Sequence, residues 1–515
     1  MQNCIGLSRV DRDDRAFAEQ RLCCFPFELQ SILLYQYLQK PTKFERNSYL
    51  RVTTEEIAKK LSIPLSKLNL NLCEDDLRDN AKSLVTQVFD IRRQFLNDEK
   101  AIKSLRGFVT RQGINSLAEQ FSLNGEVGRY CDDKWWLRRL RKELRRNIEA
   151  ALHHLNQVNK KKSLYCSQLT LKARIKQKQY AEEYLANTIA TNEYGQSFTL
   201  LELSKKGVSD PKIRKGELMV RARGFEDLAK ELGHEATFLT ITCPSKYHRS
   251  YSASGHENPK WGGYTPLDGQ KYLNNIWKLI RSKLNRLGIR FYGFRVAEPQ
   301  HDGTPHWHLL LFVDPSQYQE MIEIMRDYSM KEDREEKGAE EHRFTEVKID
   351  PEKGSATGYI AKYISKNIDG SDLDSGVYGE DPLDAAARVD AWAACWGIRQ
   401  FQQLGGCSVT VWRELRRLKE TQGLDDIAQS IVEAADTGNW KVFTQKMGGV
   451  FCKRKEQVFQ PHYEVSFDKD TGAFNTSQYC TEEFIRALKG VVTRGRELIT
   501  RVYQWRIESQ LHHAF

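Results

Sequence analysis

The stretch Glu298-Pro299-Gln300-His301-Asp302-Gly303-Thr304-Pro305-His306-Trp307-His308-Leu309-Leu310-Leu311-Phe312 decides the fold of this chain. Its second half reads as a strand, and Asp302-Gly303 in its middle is a turn signal. Side chains alternate faces along a strand, so His306 and His308 point one way and Trp307 into the opposite layer. A hairpin folded over residues 299–305 sets Glu298 across from His306. Two imidazole nitrogens and one carboxylate then surround a single point, with positions left open for water and substrate. Such a set suits an octahedral divalent cation acting as a Lewis acid. Mg²⁺ or Mn²⁺ is favoured where the substrate brings phosphate oxygens, and zinc stays open. The plainer alternative is that the two histidines are ordinary sheet residues.

Working outward, residues 238–244 read as a buried strand ended by Pro244, 269–287 as an amphipathic helix, and 289–298 and 306–313 as the two strands of the hairpin. The order strand, helix, strand, strand, helix predicts an α+β domain with a central antiparallel sheet flanked by helices. Residues 384–396 and 411–420 also look helical. The first 125 or so residues are mostly helical, with a capping-box start at Thr53 and Glu56 ahead of an apolar stripe. The last 90 or so carry no clear period.

Gly358-Tyr359-Ile360-Ala361-Lys362-Tyr363-Ile364-Ser365-Lys366 follows the hairpin. At helical spacing Tyr359 and Tyr363 share a face, with Lys362 and Lys366 paired beside them. A tyrosine hydroxyl can attack a phosphodiester and keep the bond as phosphotyrosine, given a polarised phosphate and a cation to take the charge. The same spacing recurs at Tyr180/Tyr184 and Tyr247/Tyr251 in a chain with 21 tyrosines, so it gains meaning only beside the histidine strand.

The chain has 515 residues, 79 Lys+Arg and 69 Asp+Glu, for a net charge of +10. Residues 134–178 hold 14 of those cations against Glu143 and Glu149. A helical apolar stripe, Leu137, Leu140, Leu144 and Ile148, leaves Arg138, Arg141 and Arg145 on a neighbouring face. Such a face is either solvated or a contact for phosphate backbone. Hydrophobic content of 40% and 29% charged residues fit a soluble protein. The sequence has no run long enough to span a bilayer and no export signal at its start, so no membrane association and a cytoplasmic location are expected. The 11 cysteines are scattered without a CxxC, which fits reduced thiols. No GxxxxGK[ST] is present, which argues against P-loop nucleotide hydrolysis.

Taken together, these motifs resemble the HUH endonucleases, in their two-tyrosine branch, and more closely the replication gene A protein family of tailed temperate phages. The resemblance is carried by Cys131-Asp132-Asp133-Lys134-Trp135-Trp136, Asp210-Pro211-Lys212-Ile213-Arg214 and Leu239-Thr240-Ile241-Thr242-Cys243-Pro244-Ser245. It continues through Tyr292-Gly293-Phe294-Arg295-Val296-Ala297-Glu298-Pro299, the histidine run, the Tyr359/Tyr363 helix and Trp396-Gly397-Ile398-Arg399-Gln400-Phe401. It covers about residues 125–420.

The resemblance implies an HUH-type sheet between mainly helical N-terminal and C-terminal regions, and rolling-circle initiation by site-specific nicking of single-stranded origin DNA. His306, His308 and Glu298 would hold the metal, with His301 a rival third ligand. Tyr359 and Tyr363 would alternate as nucleophiles through a 5′-phosphotyrosine, and Lys362 would neutralise phosphate charge. Arg138, Arg141, Arg145 and Lys366 are the expected DNA contacts, and a host helicase and polymerase the expected partners. The expected division is 1–125, of unknown role; 126–215, basic and DNA-binding; 216–370, nuclease; 371–425, its helical extension; and 426–515, of unknown role. Three other readings compete: a two-tyrosine transposase or mobilisation relaxase, a non-catalytic sequence-specific DNA-binding regulator, and a zinc hydrolase acting on small molecules.

Overall fold

Strand-forming runs between residues 235 and 404 pair into one five-stranded antiparallel sheet, the frame of the candidate site. In the computed structural model, which describes residues 7–117, 120–370, 378–418, 422–467 and 472–509, the chain divides into two units. One comprises residues 1–157 with 465–486, the other 158–464 with 487–515.

The first unit is mainly helical. Its long helices are Lys43–Lys60, Glu74–Arg93, Asp98–Arg111 and Asp133–His154, and Val88, Leu105, Tyr130 and Trp136 lie in its core. The capping box expected at Thr53 lies elsewhere: Thr42 and Glu45 form it, at the start of the same helix. Thr53 and Thr54 sit buried in mid-helix, and the Thr54 hydroxyl donates back to the Leu50 carbonyl at 2.8 Å.

In the second unit, β1 (Thr188–Asn192) and β2 (Ser197–Thr199) form a small sheet with the strand Trp505–Ser509. The main sheet follows, with β3 (Glu235–Thr242), β4 (Phe291–Pro299), β5 (Pro305–Val313), β6 (Phe344–Lys348) and β7 (Phe401–Leu404) in the order β6-β3-β5-β4-β7. β5 lies in the centre and is almost wholly buried, which explains its continuous apolar run. Its even-numbered residues Leu310 and Phe312 pack with Phe225 of helix Pro211–Leu232 and with Ile360 and Ile364 of helix Ala356–Ile368. On the other face Trp307 meets helix Pro266–Arg286, donating its indole N–H to Gln270 at 3.1 Å. Gly293 of β4 has φ +147°, and a Cβ there would stand 1.9 Å from the Leu310 carbonyl oxygen. Only glycine fits that approach.

Helix Pro382–Trp396 covers the expected 384–396 segment, and Val409–Leu415 ends before residues 419–420, which lie outside the described residues. The mainly helical reading of the C-terminal region holds for Asp426–Asp436 and Trp440–Lys446, after which strands Gln460–Val465, Arg486–Thr493 and Arg496–Ile499 form a separate sheet. Among the described residues nine cysteines lie outside any disulfide, whereas Cys23 is disulfide-bonded, a departure from the expectation of thiols throughout. Among the described residues no helix is long and apolar enough to cross a membrane.

Candidate active site

The hairpin register places Glu298 opposite His306 and Val296 opposite His308, while Thr240 of β3 lies opposite His308 from the other side. The turn is closed by the Gln300 N–H on the Thr304 carbonyl at 2.8 Å, with Gly303 at φ +83° and Asp302 accepting from the Thr304 N–H at 3.0 Å. One Glu298 oxygen, Oε2, lies 3.6 Å from Nε2 of both His306 and His308. The three residues form a cluster whose ligand atoms all fall within 4.8 Å of one another.

The electrostatics of the cluster come from burial and a nearby lysine. Burial works against the Glu298 charge, but Lys366 and the two imidazoles outweigh it and hold the carboxyl well below its usual range. His306 is pushed down to about 4, first by burial and then by His308. A neutral imidazole beside a carboxylate is the protonation state that binds a divalent cation. His308 Nε2 is buried with no hydrogen-bond partner, while its Nδ1 lies 3.0 Å from Thr240 Oγ1. That orphaned nitrogen, facing a carboxylate and a second imidazole, fits a cation held by two histidines and one glutamate.

His301, the rival ligand, is turned away: its Nε2 donates to the Ser250 carbonyl at 3.0 Å, and it is absent from the cluster. Lys366, assigned to DNA from the sequence, is buried, with Nζ 3.3 Å from Glu298 Oε2. Asn367 donates to the other oxygen of Glu298 and to the Tyr363 carbonyl, and Gln400 donates to Asn367 Oδ1 at 3.2 Å. Thr240, Asn367 and Gln400 escaped sequence reasoning, because their roles depend on which distant segments become neighbours.

Both tyrosines lie on helix Ala356–Ile368, over the cluster's face of the sheet. The Tyr363 ring centre is 3.9 Å from that of His308 and 5.2 Å from that of Phe238. Burial, and then the Glu298 charge, push its phenol up to about 12. Tyr359 is 40% exposed, 6.0 Å from Phe238 between ring centres, and Lys362 is exposed beside it. The helix start is pinned from below, where the buried Glu226 accepts from the Thr357 N–H at 2.9 Å and its hydroxyl at 2.6 Å.

The three arginines belong to the other unit and differ in engagement. Arg145 is exposed, Arg138 donates to the Tyr479 hydroxyl at 2.7 Å, and Arg141 is ion-paired with Glu74.

The model of the bacteriophage replication gene A protein family matches residues 51–371. The replication gene A protein of Escherichia phage 186 is 41% identical over 78% of this chain and 59% of its own length. The probable replication protein P12 of Pseudoalteromonas phage PM2 is 42% identical over 74% of this chain and 61% of its own. A probable replication endonuclease from a prophage-like region of Salmonella paratyphi A is 35% identical over 65% of this chain and 44% of its own. The chain thus spans roughly half of the length of these relatives. No solved structure matches it. With more than half of its residues matched by the family model and the histidine, glutamate and tyrosine positions inside that match, the chain belongs to the bacteriophage replication gene A protein family.

Proposed function

We propose that this protein is a site-specific single-strand DNA endonuclease and strand transferase that nicks a phage replication origin to start rolling-circle synthesis. The observation that carries the reading is Tyr363 packed at 3.9 Å against His308, which joins a tyrosine helix to a two-histidine, one-glutamate cluster. The similarity to a probable replication endonuclease of Salmonella paratyphi A supports the same chemistry.

Glu298, His306 and His308 would hold the cation, Mg²⁺ or Mn²⁺. When bound, it supplies Lewis-acid polarisation of the scissile phosphate. A tyrosine oxygen attacks phosphorus, the bond from phosphorus to the 3′-oxygen breaks, and the phenolic proton balances the new 3′-hydroxyl by way of solvent. The product is a 5′-phosphotyrosine, which stores the bond for later rejoining by a free 3′-hydroxyl. Exposed Tyr359 and half-buried Tyr363 supply two nucleophiles on one rigid helix, and Lys362 offsets phosphate charge between them. Extension of the 3′-hydroxyl calls for a polymerase, and opening of the duplex for a host helicase.

The test is a denaturing gel of the protein with single-stranded oligonucleotides tiled across its replicon, with Mg²⁺, Mn²⁺ or chelator. The expected result is a cut in one tile that needs the cation and leaves protein on the 5′ end. DNA binding with no cut in any tile would instead support a non-catalytic regulator.

A further inference from the structure

Away from the histidine cluster, four aromatic rings of the second unit follow one another at nearly even steps. Ring centres are 6.1 Å apart for Tyr194 and Tyr503, 6.3 Å for Tyr503 and Trp505, and 6.0 Å for Trp505 and Phe198. Tyr194 is 75% exposed, and Tyr503 and Trp505 are each 39% exposed. Register explains part of the row. Phe198 lies opposite Ala190, which lies opposite Ile507, so Phe198, Ile507 and therefore Trp505 share one face of the small sheet.

The row borders a cavity of about 380 Å³, lined by Arg417, Lys489, Thr500, Arg501, Tyr503 and Trp505 among others. Among the described residues three cations and no acidic side chain line it, and Glu193, next to Tyr194, accepts from the Gln504 N–H between Tyr503 and Trp505 at 2.8 Å. Behind the cations the buried Glu414 accepts from Arg417 at 2.7 Å and Arg501 at 2.8 Å, so it fixes both guanidinium groups but offsets only one charge. At the far end of the row Lys206 Nζ stands 5.0 Å over the Phe198 ring. Glu508, the acid of the edge strand, pairs with Arg506 at 3.0 Å on the strand's other face.

Exposed rings at regular steps beside fixed cations are what a flexible polyanion with flat, apolar bases requires. Bases stack on the rings and phosphates meet the guanidinium and ammonium groups, without any need for a particular sequence. A duplex hides its bases and could use only the cations. We propose that the Tyr194, Tyr503, Trp505 and Phe198 row, with Arg417, Lys489 and Arg501, is a second single-stranded DNA-binding platform, separate from the residues that would cut. It rests on the nickase reading only for the class of ligand.

The test uses the full chain in chelator, so that nothing is cut, with fluorescein-labelled oligo(dT) and a duplex of equal length. Trp505→Ala and Tyr503→Ala should each weaken oligo(dT) binding about ten-fold, Trp505→Phe should restore most of it, and duplex affinity should hold. On the unmutated protein, oligo(dT) carrying 5-iodouracil should crosslink to peptides containing Tyr194, Tyr503 or Trp505. Crosslinks confined to other segments, unchanged oligo(dT) affinity in alanine variants of normal melting temperature, or an equal loss on duplex would overturn the platform. Cleavage of tiled oligonucleotides is read separately with cation present, so loss of the platform and loss of the nickase reading give different results.

Discussion

At the scale of single residues, His308 is constrained at both ring nitrogens, with Nδ1 3.0 Å from Thr240 Oγ1 and Nε2 turned toward Glu298. The tautomer that leaves the Nε2 lone pair for a cation has Nδ1–H donating to Thr240, so Thr240→Val removes the group that selects it. We expect cation affinity to fall about 10–100-fold, read by calorimetric titration with Mn²⁺; unchanged affinity would contradict the role. A second expectation follows from protonation. His306 in the cation-free fold titrates near 4, below the ~6.5 of an exposed imidazole, because it is buried beside His308. Between those values the unfolded chain binds the extra proton, so stability is complete above pH ~6.5 and is lost as pH falls toward about 4. The depressed Glu298 carboxyl acts in the same sense at its lower range. Melting in chelator should therefore drop between pH 7 and pH 4.5, and His306→Asn should flatten that drop.

His306, His308 and Glu298 were legible because strand alternation and one turn signal relate them locally. Lys366 shows the limit of such reading: helical spacing put it beside the tyrosines, but its burial on Glu298 depends on β4 lying under that helix.

At the scale of elements, the tyrosine helix is fixed at both ends, to helix Pro211–Leu232 at its start and to the sheet at its finish. Glu226 holds Thr357 near its start, and Lys366 and Asn367 hold Glu298 near its finish. The helix itself, the hairpin and β3 could all be read from period and turn chemistry. The Thr53 capping box could not, since the same residue types also satisfy their hydroxyls inside a helix. Strands Gln460–Val465, Cys480–Phe484 and Arg496–Ile499 gave no period either, being short and largely exposed or half-exposed. β4 depends on Gly293 for its approach to Leu310. Gly293→Ala should destabilise the second unit by at least ~2 kcal/mol, measured as a lower urea midpoint. A neutral substitution would mean that the β4–β5 spacing relaxes without cost.

At the scale of the whole molecule, the family match covers both the histidine hairpin and the tyrosine helix, while the chain spans about half the length of its relatives. The basic 134–178 stretch is unevenly available: Arg141 is already paired with Glu74, whereas Arg145 is exposed. Arg145→Glu should weaken nonspecific DNA binding and reduce the slope of log affinity against log salt by about one, while Arg141→Glu is expected to disturb folding as well. Salt-insensitive binding would remove this helix from the DNA contact.

The most direct test of the central claim is to trap the covalent product. The protein is incubated with Mn²⁺ and a single-stranded origin oligonucleotide, digested with trypsin and nuclease, and the nucleotide-bearing peptide is sequenced by mass spectrometry. The expected result is a 5′-phosphoryl adduct on Tyr359 or Tyr363, persisting in either single phenylalanine variant and absent from the double variant. An adduct on another residue, or cleavage that survives loss of both tyrosines, would contradict it.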